Sequence, residues 1–218
     1  MRRKISYYTA IFIAVLQVGC FKTSASVTGS GVTKSETRTV SFKSLKLNLA
    51  ADVNITPGEK SEVTITTDDN ILPLIKTSVL DGTLSIDSSE SYNSKSSVKI
   101  SITVPDISSV ILNGVGNVVI DKVPSDSLDV QLVGTGNITA KGNSPKITAG
   151  LSGVGNLNLT DFTTDQAIVK VSGAGSAQID AAKSLDATVN GTGNIRYKSH
   201  SNLKVTTHIN GVGSVNPI

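Results

Sequence analysis

The chain has 218 residues, a formal net charge of +3, 19 glycines, one cysteine and no tryptophan. Arg2, Arg3 and Lys4 account for the positive excess, so the remainder of the chain is close to neutral. No basic stripe interleaved with aromatic residues appears, which argues against a nucleic-acid partner. The scarcity of aromatic residues predicts a core of many small β-branched side chains, in one domain of short strands joined by tight turns.

The N-terminus resembles an export signal. Residues 1–19 begin with basic residues and continue with an apolar stretch that is too short to span a bilayer, as in a signal peptide. Cys20 follows Val18 and Gly19, which resemble the lipobox of bacterial lipoproteins, although Gln17 stands where an aliphatic residue is usual. We therefore expect a lipid on Cys20 and a location in the bacterial cell envelope, as an outer-membrane lipoprotein. Plain secretion is the alternative.

The residues after Cys20 are rich in serine, threonine and glycine. This composition is typical of flexible linkers, so the sequence predicts a tether at 20–37. The folded domain is then expected at 38–218.

A pair of glycines separated by one residue recurs through the second half of the chain. The first glycines of successive pairs are 20, 19, 20, 18 and 20 residues apart. A nearly fixed period of about 20 residues indicates a solenoid of stacked layers. The pairs are Gly114 and Gly116, Gly134 and Gly136, Gly153 and Gly155, Gly173 and Gly175, Gly191 and Gly193, and Gly211 and Gly213.

These glycines are expected to form sharp corners. A dinucleotide-binding loop would need a third glycine, a following helix and a single copy, and none of these conditions is met. Apolar residues alternate with polar ones on both sides of each pair, as at Val110 and Leu112 before the first pair and Val118 and Ile120 after it. Because alternate residues of a strand face opposite ways, one face of each strand is expected to line a narrow apolar interior.

A polar residue follows each glycine pair, which predicts a ladder along one edge of the stack. Such side chains either hydrogen-bond from layer to layer or cap the local turn, and a ligand-binding role is the remaining alternative. The ladder residues are Asn117, Asn137, Asn156, Ser176, Asn194 and Ser214. A charged row is expected near them, at Asp121, Lys141, Asp161, Asp180 and Lys198.

The region 38–105 lacks the glycine pair but keeps the alternation of strands. Asp81 and Gly82 predict a tight hairpin turn, and the residues around Pro73 predict a helical turn or bend. We expect this region to be a less regular start of the same stack that acts as its N-terminal cap.

The repeated "GVGN", "GTGN" and "GAGS" corners, the strands "SSVILNGVGN" and "LDVQLVGTGN", and the opening "FKSLKLNLAADVNIT" together resemble a known family. This is the "putative auto-transporter adhesin, head GIN domain" family, a bacterial domain of unknown function found on exported proteins and lipoproteins. The resemblance covers about residues 38–216. It implies an all-β, β-helix-like stack and an envelope location, and it implies no established catalytic or ligand residues.

Three functions remain open at this stage. The first is a non-catalytic binding or adhesion module for a glycan or an envelope protein, held at the membrane through the lipid on Cys20. The second is a structural protein that self-associates as a homo-oligomer, and the third is a polysaccharide-active enzyme. No catalytic, cofactor-binding or metal-binding residues are predicted, because the acidic residues are scattered and the spacing of His200 and His208 is not that of a zinc site.

Overall fold

The computed structural model describes residues 26–218, so the predicted signal peptide at 1–19, Cys20 and the first part of the predicted tether lie outside the described residues. Within 26–218 no helix is long and apolar enough to cross a membrane. The strands in chain order are β1 (Val27–Thr28), β2 (Thr33–Thr39), β3 (Ser44–Leu47), β4 (Asp52–Pro57), β5 (Glu62–Asp68), β6 (Ile75–Leu80), β7 (Thr83–Ser88), β8 (Tyr92–Asn93), β9 (Lys99–Val104), β10 (Ser109–Leu112), β11 (Val115–Asp121), β12 (Ser127–Leu132), β13 (Thr135–Leu151), β14 (Val154–Val171), β15 (Ala174–Val189), β16 (Thr192–Tyr197), β17 (Lys204–Ile209) and β18 (Val212–Pro217).

Sixteen of these strands form one sheet that winds into a solenoid. The first wall contains the strands that precede the corners, in the order β6, β7, β3, β10, β12, the second halves of β13, β14 and β15, and β17. The second wall contains those that follow the corners, in the order β2, β5, β9, β4, β11, the first halves of β13, β14 and β15, β16 and β18. The all-β solenoid predicted from the glycine spacing is therefore confirmed.

Parallel register stacks equivalent apolar residues on one another. The pairing of β10, β12, β13, β14 and β15 brings five aliphatic side chains into one column, and each is at most 1% exposed. This column consists of Leu112, Leu132, Leu151, Val171 and Val189. Full burial of one such side chain contributes about 1.5–3 kcal/mol to stability. Columns of this kind therefore provide the buried apolar area that the few aromatic residues of the chain do not.

The glycine pairs lie at the corners between the two walls, where successive layers approach closely. A Cβ atom on Gly134 would collide with the carbonyl oxygen of Gly114, and one on Gly136 would collide with that of Gly116. The residue between the two glycines hydrogen-bonds to one of these carbonyl oxygens: Thr135 N–H donates to Gly114 O at 3.0 Å. The corner therefore excludes side chains at both glycine positions because the layer beneath occupies that space.

The N-terminal region is a less regular start of the same stack, as the sequence predicts. Strands β3 and β4 form a regular layer, with Leu47 in register with Leu112 and Val53 in register with Val118. The layer made by β7 and β9 lies outside it, although it comes later in the chain. The cap proper consists of three strands that pair antiparallel: β2 and β5 beyond β9, and β6 beyond β7.

Two local predictions hold in this region. A single turn of 3-10 helix occupies Leu72–Leu74, around Pro73. Asp81 and Gly82, with φ angles of 49° and 72°, form the turn between the antiparallel strands β6 and β7.

Strand β1 and the first five residues of β2 lie in the segment 20–37 that the sequence predicts as a flexible tether. The ordered domain thus begins before residue 38. Asp68 holds this segment in place: its carboxylate is fully buried and accepts hydrogen bonds from Gly31 N–H at 2.9 Å, Lys95 N–H at 2.7 Å and Ser96 N–H at 3.1 Å. Burial raises the pKa of Asp68, but the backbone hydrogen bonds lower it by more. The pKa of Asp68 therefore lies below its ordinary value.

A group whose pKa is depressed by folding stabilises the folded state above its unfolded pKa, and this contribution is lost as the pH falls through the folded pKa. We expect Asp68→Asn to lower the urea midpoint at pH 7, because an amide cannot accept three donors as well as a carboxylate does. The difference from the parent chain should begin to shrink as the pH falls below about 4, the ordinary pKa of an aspartate, and should be smallest below the depressed pKa of Asp68 in the folded chain.

The control for this experiment is Asp165→Asn, which removes an exposed ion pair with Lys183 and should change the midpoint little at either pH. A gap between parent and Asp68→Asn that is equally large at pH 7 and at about pH 2 would contradict the assignment.

Candidate functional site

The predicted polar ladder is a chain of hydrogen bonds between side chains. Asn117 Nδ2 donates to Asp52 Oδ1 at 2.9 Å, and Asn137 Nδ2 donates to Asn117 Oδ1 at 2.9 Å. Asn156 Nδ2 then donates to Asn137 Oδ1 at 3.0 Å.

The ladder is interrupted at Ser176 and resumes where Ser214 Oγ donates to Asn194 Oδ1 at 2.8 Å. Asp52 begins the ladder although the sequence analysis did not include it. These side chains direct much of their hydrogen-bonding capacity at one another, which favours a role in joining layers over a role in binding.

A different site lies on the third side of the solenoid, where the second wall of one layer passes to the first wall of the next. Residues 122–126 of one layer, 141–145 of the next and 161–163 of the third surround a groove of about 890 Å³. We call this the third-side groove. Its exposed polar side chains are Lys122, Asp126, Lys141, Asn143, Asp161 and Thr163.

The polar side chains of the third-side groove are free. Among residues 26–218, none of these six side chains makes a hydrogen bond, and none of the four charged ones makes an ion pair within 4.0 Å. The hydroxyl oxygen of Ser125, which also lines the groove, is buried without a hydrogen-bond partner. The groove therefore has unused donors and acceptors.

The backbone of the groove is unusual as well. Lys122 has a φ of 55°, a conformation that is uncommon for a residue other than glycine. Its N–H donates to Lys141 O at 2.8 Å, which fixes the strained residue against the next layer. Gly142, with a φ of 125°, lies beside the backbone of Lys122. Strained backbone of this kind is concentrated at functional sites.

The charged row expected along this side forms only in part. Asp121 is in register with Lys141, and Lys141 with Asp161, yet neither pair forms an ion pair within 4.0 Å in the described residues. Asp180 and Lys198 do pair, with Lys198 Nζ 3.1 Å from Asp180 Oδ2.

Asp180 is also the centre of a cluster that the sequence analysis missed. His200 Nε2 lies 2.6 Å from Asp180 Oδ1, and Lys198 Nζ also donates to Thr160 O at 2.6 Å. Burial raises the pKa of Asp180, but the hydrogen bonds from His200 and Lys198 outweigh it and lower the pKa overall.

No serine, threonine or cysteine side chain of residues 26–218 hydrogen-bonds to His200. The cluster joins successive layers, because it connects Thr160 on β14 and Asp180 on β15 with Lys198 and His200, which follow β16. His200 therefore lies against a buried carboxylate, a partner that no spacing in the sequence indicates.

The groove residues could be found only partly from the sequence. Lys141 and Asp161 stood out because they recur at a fixed distance from the glycine pairs. Lys122, Asp126 and Asn143 belong to connections of different length and composition, which carry no periodic signal. The one available cue was Pro124 followed by Ser125 and Asp126, a turn-forming run between two strands.

Solved structures from Bacteroides and Parabacteroides share this architecture. A putative adhesin from Bacteroides fragilis is 22% identical with a TM-score of 0.71, and the match covers 88% of this chain and 100% of that one. A putative lipid binding protein from Parabacteroides distasonis is 18% identical with a TM-score of 0.56, covering 89% of this chain and 100% of that one. A putative adhesin from the same species is 20% identical with a TM-score of 0.51, again covering 89% and 100%.

At these identities the likeness concerns the fold alone. The comparison with curated proteins gives no match. The family model described as "putative auto-transporter adhesin, head GIN domain" matches residues 41–201, which is most of the chain. The protein therefore belongs to the head GIN domain family of putative auto-transporter adhesins.

Proposed function

We propose that this protein is an exported, lipid-anchored, non-catalytic binding module of the bacterial cell envelope. The family name and the adhesin neighbours support a role in adhesion. The single observation that carries the proposal is the third-side groove, where charged and polar side chains line a large concave surface without partners. A rigid solenoid suits this task because it holds such side chains on a fixed scaffold.

A non-catalytic role is favoured over polysaccharide cleavage by the chemistry of the acidic residues. Asp180 is neutralised by Lys198 and tied to His200, so it is not available as a general acid at neutral pH. Asp126 and Asp161 are exposed, so neither has the buried surroundings that are typical of a catalytic acid.

Attachment to the membrane is proposed through a lipid on Cys20, with residues after it as a spacer. The support is the order of basic residues, apolar stretch, Val18, Gly19 and Cys20. Cells that express the chain and are fed radiolabelled fatty acid should label it in the membrane fraction. Cys20→Ala should abolish the label, and persistent labelling of that variant would exclude this anchor.

The binding role is tested with a panel of immobilised glycans, bacterial envelope proteins and phospholipid vesicles. We expect saturable binding of the purified chain to one class in the panel. Failure to bind any class, at protein concentrations up to the solubility limit, would contradict the adhesion function.

A second candidate function is self-association, and the C-terminal edge of the solenoid favours it. In residues 26–218, β17 pairs only with β15 and β18 pairs only with β16, so each leaves one edge open. Ile209 is 47% exposed and Val212 is 77% exposed at that end. Open strand edges invite pairing with other chains. Light scattering over a range of concentrations separates a stable monomer from a concentration-dependent oligomer.

A further inference from the structure

We propose that the third-side groove binds a neutral saccharide. The inference rests on the proposed binding function and adds to it the site and the class of ligand. The groove spans three layers of the solenoid, or about 10 Å at the strand spacing of a β-sheet, and is open along its length. A surface of this shape accepts a chain of sugar units.

The side chains match the chemistry of a sugar. A sugar hydroxyl donates one hydrogen bond and accepts others, so neighbouring hydroxyls need both acceptors and donors. Asp126 and Asp161 offer carboxylate acceptors, and Lys122 and Lys141 offer ammonium donors. Asn143 and Thr163 provide both kinds of group, and none of these side chains has to break a hydrogen bond to another of residues 26–218 to reach a ligand.

The charge of the groove favours a neutral ligand. Two lysines are balanced by two aspartates, and no ion pair within 4.0 Å removes any of these charges from the surface described here. A strongly anionic or cationic polymer would meet like charge at half of the positions. A neutral polyhydroxyl ligand meets complementary dipoles at all of them.

The floor of the groove disfavours a peptide or a lipid. Strands β13 and β14 are paired through this side, with Lys141 opposite Asp161 and Asn143 opposite Thr163. The other edge of β13 is unpaired only at residues 142–145, between its pairings with β11 and β12, and Pro145 has no N–H to donate to an added peptide strand. Val123 is 3% exposed, which leaves the rings of Pro124 and Pro145 as the apolar surface. Such small surfaces suit the C–H face of a sugar and are insufficient for an acyl chain.

The test uses the purified chain and a set of immobilised neutral oligosaccharides of glucose, galactose, mannose and N-acetylglucosamine. Sialylated and sulfated oligosaccharides, an extended-peptide library and phosphatidylglycerol vesicles serve as comparison probes. We expect binding to at least one neutral oligosaccharide, with an affinity that changes less than threefold between 50 and 500 mM salt, since no net charge is neutralised.

Two variants locate the site. Asp161→Asn and Lys141→Ala should each weaken that binding at least tenfold, because each removes a charged hydrogen-bonding partner. Both side chains are exposed and unpaired, so the melting temperatures should stay within about 2 °C of the parent value. Asp165→Asn lies on the same strand β14 but outside the groove, and it should bind as the parent does.

The outcomes separate the two proposals. Neutral-sugar binding that the groove variants do not affect would overturn the assignment of the groove and leave the adhesion function standing. Binding only to sulfated or sialylated sugars, to peptides or to vesicles would overturn the neutral-saccharide ligand. Absence of binding to every probe would overturn this inference, and only the wider envelope panel described above would then decide the adhesion function.

Discussion

Replacing Gly155 with alanine is expected to destabilise the protein by about 3–5 kcal/mol. The added Cβ would meet the carbonyl oxygen of Gly136 in the layer beneath, and Gly155 has a φ of +142° that side chains rarely adopt. Strained backbone costs about 1–3 kcal/mol, and the displacement forced by overpacking costs a similar amount. Urea unfolding followed by far-ultraviolet circular dichroism measures the change.

Two controls divide this effect into its causes. Val154→Ala alters the exposed residue between the same two glycines and should change stability by less than about 0.5 kcal/mol. Gly82→Ala keeps the penalty for positive φ but meets no atom within 4 Å, so it should cost about 1–2 kcal/mol. A Gly155→Ala variant no less stable than Gly82→Ala would show that the close approach of layers is not what selects glycine.

The layer formed by β3 and β4 belongs to the solenoid although it has no glycine pair, so the glycine spacing does not reveal it. Strand β3 is in register with β10, and β4 with β11. This register places Leu49 beneath Gly114 and Ala51 beneath Gly116 of the next layer. The glycines at 114 and 116 are needed because Leu49 and Ala51 place carbonyl oxygens against them. The layer formed by β3 and β4 has no glycine pair, and the connection outside it takes a different course: twelve residues separate Ile86 from Lys99, where four separate their partners Leu47 and Asp52.

The order of the layers could not be predicted from the sequence. The pattern "LKLNLAADVNI" alternates like any other strand pair, and alternation records which face is buried without recording which strand lies alongside. The insertion of β3 and β4 between the β7–β9 layer and the β10–β11 layer depends on long-range pairing. The connection at 105–108 bridges it, with Ser108 N–H donating to Lys43 O at 2.7 Å.

The polar ladder and the third-side groove also differ in how far the sequence reveals them. Asn117, Asn137 and Asn156 follow the glycines at constant spacing, so they were visible in the sequence as a ladder. The third-side groove is made by connections that vary in length, as the register shifts near Thr139 and Leu159 record. The residues at regular spacing therefore hydrogen-bond to one another and join the layers. The residues of the irregular third side have polar side chains without partners among the described residues.

Replacing Phe162 with alanine is expected to cost about 3–5 kcal/mol in stability. Its side chain is fully buried, and in register it lies opposite Gly142, which contributes no side chain to the neighbouring layer. The loss of a buried ring leaves a cavity that small aliphatic neighbours cannot close. Urea unfolding measures the change, with Phe162→Leu expected to cost less than about 1.5 kcal/mol because most of the volume is kept.

Phe162 also links the core to the proposed binding surface. It lies on strand β14 between Asp161 and Thr163, whose side chains face the groove while the ring faces the interior. Because the ring anchors this strand, Phe162→Ala should weaken neutral-sugar binding even where the variant remains folded, and Phe162→Leu should preserve it. Ile168→Ala, an exposed change on the same strand, should cost less than about 1 kcal/mol and leave binding intact. Full affinity in a folded Phe162→Ala variant would show that the groove residues are positioned independently of the core beneath them.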